Sequence, residues 1–169
     1  MHETDFPLAT QMAIHILAMN CLAPVLILAL RRSSAWTHRR FGGLALVTTV
    51  QLVAIWSAHA PALLDTVHGH LTWMLLLHLA LFLVALWFWH EVIATAGDRR
   101  WRSVVALLIT AKLFCLLGAL MVFAGATEDT QMAGLLMLFA CPVTYLLAAG
   151  VIARRWLLDV EARPAQSSY

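Results

Sequence analysis

The chain has 169 residues, of which 62% are hydrophobic and only 12% charged, with a formal net charge of +2. A soluble domain is about half apolar and about a quarter charged, so this chain carries too few charged groups to coat a water-facing surface. That excludes an ordinary soluble globular fold, and the small positive balance gives no basis for nucleic-acid binding.

The apolar residues fall into five blocks: Leu8–Leu30, Phe41–Ala58, Leu71–Ala94, Val104–Gly125 and Gln131–Ala153. Each reaches the roughly 17–20 residues that cross a hydrocarbon core of about 30 Å. Backbone amides in lipid must be satisfied within their own segment, so each block is expected to be a helix. The expected fold class is all-α: a polytopic membrane bundle of five transmembrane helices in one domain over 1–158, with a polar cytoplasmic tail over 159–169.

The first block is preceded by Glu3 and Asp5 and followed by arginines. That is the charge order of a retained helix, whereas a signal peptide begins with a basic region. Arg31, Arg32, Arg39 and Arg40 separate the first and second blocks, and Arg99, Arg100 and Arg102 separate the third and fourth. Arg154, Arg155 and Arg163 follow the fifth. The N-terminal segment and the connections 58–70 and 126–130 carry no Lys or Arg. By the positive-inside rule the N-terminus is expected on the non-cytoplasmic side and the C-terminus in the cytoplasm.

Polar residues inside the blocks are few. Pro24 and Pro142 each free the carbonyl four residues earlier, at Asn20 and Leu138. Lys112 lies about 16 Å along its helix from Trp101. It either snorkels to the headgroups or pairs inside the bundle, with Glu91 as the candidate partner. Cys21, Cys115 and Cys141 form no C-x-x-C pair and are expected to be small packing residues. No nucleophile–base motif, P-loop or G-x-G-x-x-G is present.

Eight histidines are many for so apolar a chain. The topology sorts them: only His38 and His90 fall at the cytoplasmic side. His15 is about two turns into the first span, and His78 about two turns into the third, from the outer face. His59, His68 and His70 lie in or beside the outer connection, and His2 in the outer tail. Met12, His15 and Met19 share one helix face at i, i+3, i+7; His70, Met74 and His78 share another at i, i+4, i+8. Met121 and Met132 lie near the outer ends of the fourth and fifth spans. Imidazole with thioether is the ligand set expected for copper, especially Cu(I), although neutral imidazole also binds zinc and iron. A metal or haem site where three helices place a His at similar outer depth is the expectation.

Four blocks, in order from Gln11 to Met137, resemble the CtaG-type cytochrome c oxidase assembly factors. Gln11-Met12-Ala13-Ile14-His15, with Met19 and Pro24, resembles that family's H-M-x-x-H…P helix. Trp56-Ser57-Ala58-His59-Ala60-Pro61 through Asp65 is similar to its W-H-x-P-x-L-Y-D loop. His78 through Phe82, with Trp87-Phe88-Trp89, resembles its H-x-x-F…F-W-W helix. Asp129 through Met137 resembles its D-Q-x-x-A-G-x-x-M-W segment. The chain departs from the pattern at Gln11 and Met74, where the family has His, at His90 in place of the second Trp, and at Leu138 in place of the last one. It is also shorter than the family's usual length.

The resemblance implies a membrane assembly factor of a bacterial inner membrane, with its N-terminus periplasmic, that handles copper for a haem–copper oxidase. It points to His15, His59 and His78 as ligands and to Asp129 as an acid near the site. With two imidazoles replaced, one three-His or His/Met site is the economical reading, with Met74 or Met12 assisting and His70 as an entry ligand. The expected partners are cytochrome c oxidase subunits, a periplasmic copper donor and the lipid bilayer, and the expected role is a chaperone's, not an enzyme's. The alternatives are a small b-type cytochrome, with two of these histidines clamping haem b, and a copper-containing enzyme or accessory subunit of a membrane redox complex.

Overall fold

The computed structural model describes residues 8–32, 43–60, 70–125 and 127–161. Among them every regular element is helical. The first rod is built from α1 (Leu8–Ile16), a π-helical stretch (Leu17–Leu22) and α2 (Ala23–Arg32). There follow α3 (Leu44–Ala58), α4 (Leu71–Ala94), a short 3₁₀ turn (Gly97–Arg99), α5 (Arg100–Ala124) and α6 (Glu128–Glu161).

Four of these helical segments are long and apolar enough to cross a membrane: Leu8–Arg31, Leu71–Ala94, Gly97–Ala124 and Glu128–Glu161. Of the five expected spans, the second is the shorter apolar helix among the described residues. Helix α3 has 15 residues, about 22 Å at the α-helical rise, which is short of a core of about 30 Å. Its predicted first residues, Phe41 and Gly42, lie outside the described residues, and Gly43 is the extended cap before the helix. The boundary of the tail also moves, because α6 continues to Glu161 and the remainder lies outside the described residues.

Burial in this bundle is inverted relative to a water-soluble protein. Gln51 and Glu91 are fully buried, while Leu75, Leu79, Leu83 and Leu147 lie exposed on its outside. Polar groups find partners between the helices, and the outer leucines suit a hydrocarbon surround. The first rod packs against α4 and α6, α3 packs against α4 and α5, and α5 packs against α6, which closes a ring of five rods. Tyr145 fills its middle, stacked on Trp89 at 5.4 Å between ring centres and edge-on to Phe114 at 5.3 Å. The Gln51 amide Nε2 donates to the Tyr145 hydroxyl at 2.9 Å.

The tightest seam lies between α5 and α6. A methyl group on Gly118 would sit 2.7 Å from the Leu138 nitrogen, and one on Gly134 would sit 2.8 Å from the Val122 nitrogen. Only two glycines let these backbones approach so closely, the small-residue device of membrane helix pairs.

Both intramembrane prolines leave a carbonyl that another helix takes up. Around Pro24 the position differs from expectation. The Ala23 N–H donates to Ala18 O, in the π register, so proline's missing donor leaves Met19 O, not Asn20 O, in need of a partner. The Trp89 indole N–H donates to Met19 O at 3.0 Å. At Pro142 the helix continues, and the Cys115 thiol lies 3.9 Å from Leu138 O as its donor.

Lys112 is exposed on the outer side of α5, while Glu91 is buried and lies 3.7 Å from the His90 ring. The internal Lys112–Glu91 pair is therefore not formed, and Lys112 has the outward placement that snorkelling requires. Two contacts gather the arginine-bearing ends of the helices. Arg31 donates to Ile93 O at 2.6 Å, and Arg100 pairs with Asp159.

Candidate metal centre

At the opposite end of the bundle three imidazoles come together from three rods. His15 lies one residue before the end of α1, His59 immediately follows α3, and His78 lies in the second turn of α4. The His15 ring centre is 5.6 Å from that of His78 and 6.2 Å from that of His59, and both neighbours stand nearly perpendicular to it. They border a cavity of about 50 Å³, lined also by Leu8, Gln11, Met12 and Met121.

Two of the rings are oriented by their own helices. His59 Nδ1 lies 2.7 Å from Ile55 O, and His78 Nδ1 lies 2.8 Å from Met74 O. A carbonyl only accepts, so in each case Nδ1 carries the proton and donates. That fixes the tautomer with the Nε2 lone pair unprotonated, the form in which imidazole binds a metal. Burial pushes the His59 pKa down, the Ile55 carbonyl partly offsets this, and the neighbouring His78 lowers it further. Burial and the second imidazole thus favour a neutral ring at physiological pH.

The donor set fits a soft cation in chemistry, and the cavity exceeds the roughly 10–15 Å³ that one water-sized occupant needs. Imidazoles sharing one ion at a metal–nitrogen distance near 2.0 Å would have ring centres about 5 Å apart. The observed separations are wider, and among the described residues no three His, Cys, Asp or Glu side chains stand arranged to hold one ion. Closure onto an ion therefore needs His15 and His78 to draw in by about half an ångström and His15 and His59 by about one.

The other predicted residues separate into distinct roles. Met12 is buried and lines the cavity. Met74 is half-buried and does not line it; its contribution is the carbonyl that orients His78. Met121, from α5, supplies the second thioether at the cavity wall. Its outer-end position was visible in the sequence, but the neighbour it meets was not. His70 is exposed and caps α4, where its carbonyl accepts the Met74 N–H at 3.1 Å. His2, His68, Pro61 and Asp65 lie outside the described residues.

Asp129 stands one step back from the imidazoles. Its carboxylate accepts the Leu8 N–H at 2.5 Å and the Ala9 N–H at 3.1 Å. Both are donors of the first turn of α1, which has no intrahelical acceptors for them. The carboxylate of α6 thus caps the helix that carries Met12 and His15, and its negative charge suits the positive end of that helix dipole.

No protein-family model, curated protein or solved structure matches this chain.

Proposed function

We propose that this protein is a membrane assembly factor that binds Cu(I) as cargo and passes it on for the metallation of a haem–copper oxidase. The observation that carries the reading is the convergence of His15, His59 and His78, from three separate rods, on one small cavity with two methionines in its wall. Imidazole and thioether are soft, neutral ligands that favour Cu(I). His15, His59 and His78 would hold the ion, with Met12 and Met121 assisting. Transfer is then ligand exchange without redox change: each bond to a recipient's ligand forms as one bond here breaks, and copper stays Cu(I) throughout.

The arginine distribution supports an orientation in which this cavity faces the periplasm. On that orientation the ion arrives from a periplasmic donor and leaves to an oxidase subunit on the same side. The cavity's size favours an ion over the haem of the alternative reading, since about 50 Å³ is far below the roughly 300–1,000 Å³ of pockets for cofactor-sized ligands.

The test is metal loading of the purified, detergent-solubilised chain with Cu(I) under reducing conditions, followed by gel filtration and metal counting. One copper per chain is expected, lost in the His15→Ala/His59→Ala/His78→Ala variant. Unchanged stoichiometry in that variant would overturn the assignment, and a Soret band in the isolated protein would replace it with the cytochrome reading.

A further inference from the structure

A second, larger cavity of about 630 Å³ lies between α3 and α5, at the end of the bundle away from His15, His59 and His78. Its walls include Leu52 and Ile109, and its polar positions are Thr48, Thr49, Thr95 and Arg102. Among the described residues no His, Met or carboxylate lines it, which sets it apart from the imidazole and thioether cluster.

The hydroxyl hydrogens of all three threonines are already committed. Thr48 donates to Leu44 O at 2.7 Å, Thr49 to Ala45 O at 3.0 Å and Thr95 to Glu91 O at 2.8 Å. The charged donor left at the wall is the exposed guanidinium of Arg102, which lies 5.6 Å from the centre of the Trp101 ring. Trp and Arg together mark the headgroup level of a membrane. An occupant must therefore offer hydrocarbon to the cavity and an anion to its rim. Basic pockets between membrane helices at the arginine-rich side suit anionic headgroups, and the volume is in the range of a ligand pocket.

We propose that this cavity holds one anionic phospholipid, with its phosphate at the Arg102 guanidinium and an acyl chain between Leu52 and Ile109. The lipid would fill the gap between α3 and α5, and so would support the short helix that ends at His59.

Native mass spectrometry of the intact chain in a mild detergent tests this, with phosphatidylglycerol and phosphatidylcholine of identical chains added after delipidation. One phosphatidylglycerol is expected to be retained, about fivefold in preference to phosphatidylcholine, the ratio that one basic residue near a membrane surface supplies. Arg102→Ala should abolish the preference, and Arg102→Lys should keep most of it. Thr49 is exposed at the wall, so Thr49→Trp should obstruct part of the cavity and reduce retention of either lipid without disturbing the core. Inorganic phosphate should not displace the lipid. Equal retention of the two lipids, undiminished preference in Arg102→Ala, release by phosphate, or a neutral quinone in the retained fraction would each overturn the proposal.

Discussion

His59 and His78 are held by the same device, a ring N–H returned to the carbonyl one helical turn earlier. The pattern i, i+4 supplies both the orienting bond and the tautomer, so the helix itself leaves Nε2 of each ring unprotonated. Met74 illustrates how the same pattern misleads. Spacing puts it on the face of His78, yet what it lends there is a carbonyl, and the methionines at the cavity wall are Met12 and Met121. Met12→Leu and Met121→Leu are therefore expected to weaken Cu(I) binding on the order of tenfold each, a loss of about 1.4 kcal/mol. Met74→Leu should leave it unchanged. Competition with a chromogenic Cu(I) chelator measures all three, and a Met74→Leu loss equal to that of Met121→Leu would contradict this assignment. That His15, His59 and His78 share one end of the bundle was readable from the sequence, because arginine placement orders the apolar blocks. The role of Asp129 was not, because it caps a helix about 120 residues away, and no local pattern encodes that contact.

Among the elements, α5 and α6 form the most intimate pair. Their seam rests on Gly118 and Gly134, where an added methyl would press on backbone atoms that cannot swing aside. Gly118→Ala is expected to destabilise the bundle by about 1–3 kcal/mol, the usual cost of overpacking, seen as a lower thermal midpoint in micelles. A midpoint equal to that of the parent would mean that the helices can separate at this seam without cost. The apolar blocks announced these helices well: the block Leu71–Ala94 coincides with α4, and the other long helices differ from their blocks mainly at their ends. Helix α3 is the exception, since its block includes Phe41 and Gly42, which precede the extended residue Gly43. Apolarity continues through the cap, whereas the helix does not. The π register of the first rod was also illegible. Pro24 announces a missing donor, but which carbonyl is left over depends on Trp89 reaching it from α4.

For the whole molecule, the rods alternate so that Arg31 and Arg100 lie at one end and the His15, His59 and His78 cluster at the other. That separation makes the copper reading depend on how the bundle sits in the bilayer. A fluorescent protein fused after Glu161 is expected to mature in the cytoplasm, and a phosphatase inserted after Ala60 is expected to be active in the periplasm. The reverse pattern would place the imidazoles in the cytoplasm and remove the periplasmic route. Composition sufficed to identify a membrane bundle. The order of the ring did not follow from it, because lipid offers no preference among helix neighbours, and pairings rest on small contacts such as Gly118 with Gly134.

The π stretch Leu17–Leu22 sets the rotational phase of the first rod. Such a turn holds one residue more than the α-helix would use. Each residue turns an α-helix by about 100°; without the extra one, Met12 and His15 would swing away from His59 and His78. Deleting Ala18 should therefore abolish copper retention while leaving a helical, membrane-inserted chain. Restoring one alanine elsewhere within that turn should bring retention back. The alignment of the imidazoles would then be a matter of counting residues, set by the length of one turn and secured by Trp89 on the carbonyl that Pro24 leaves over.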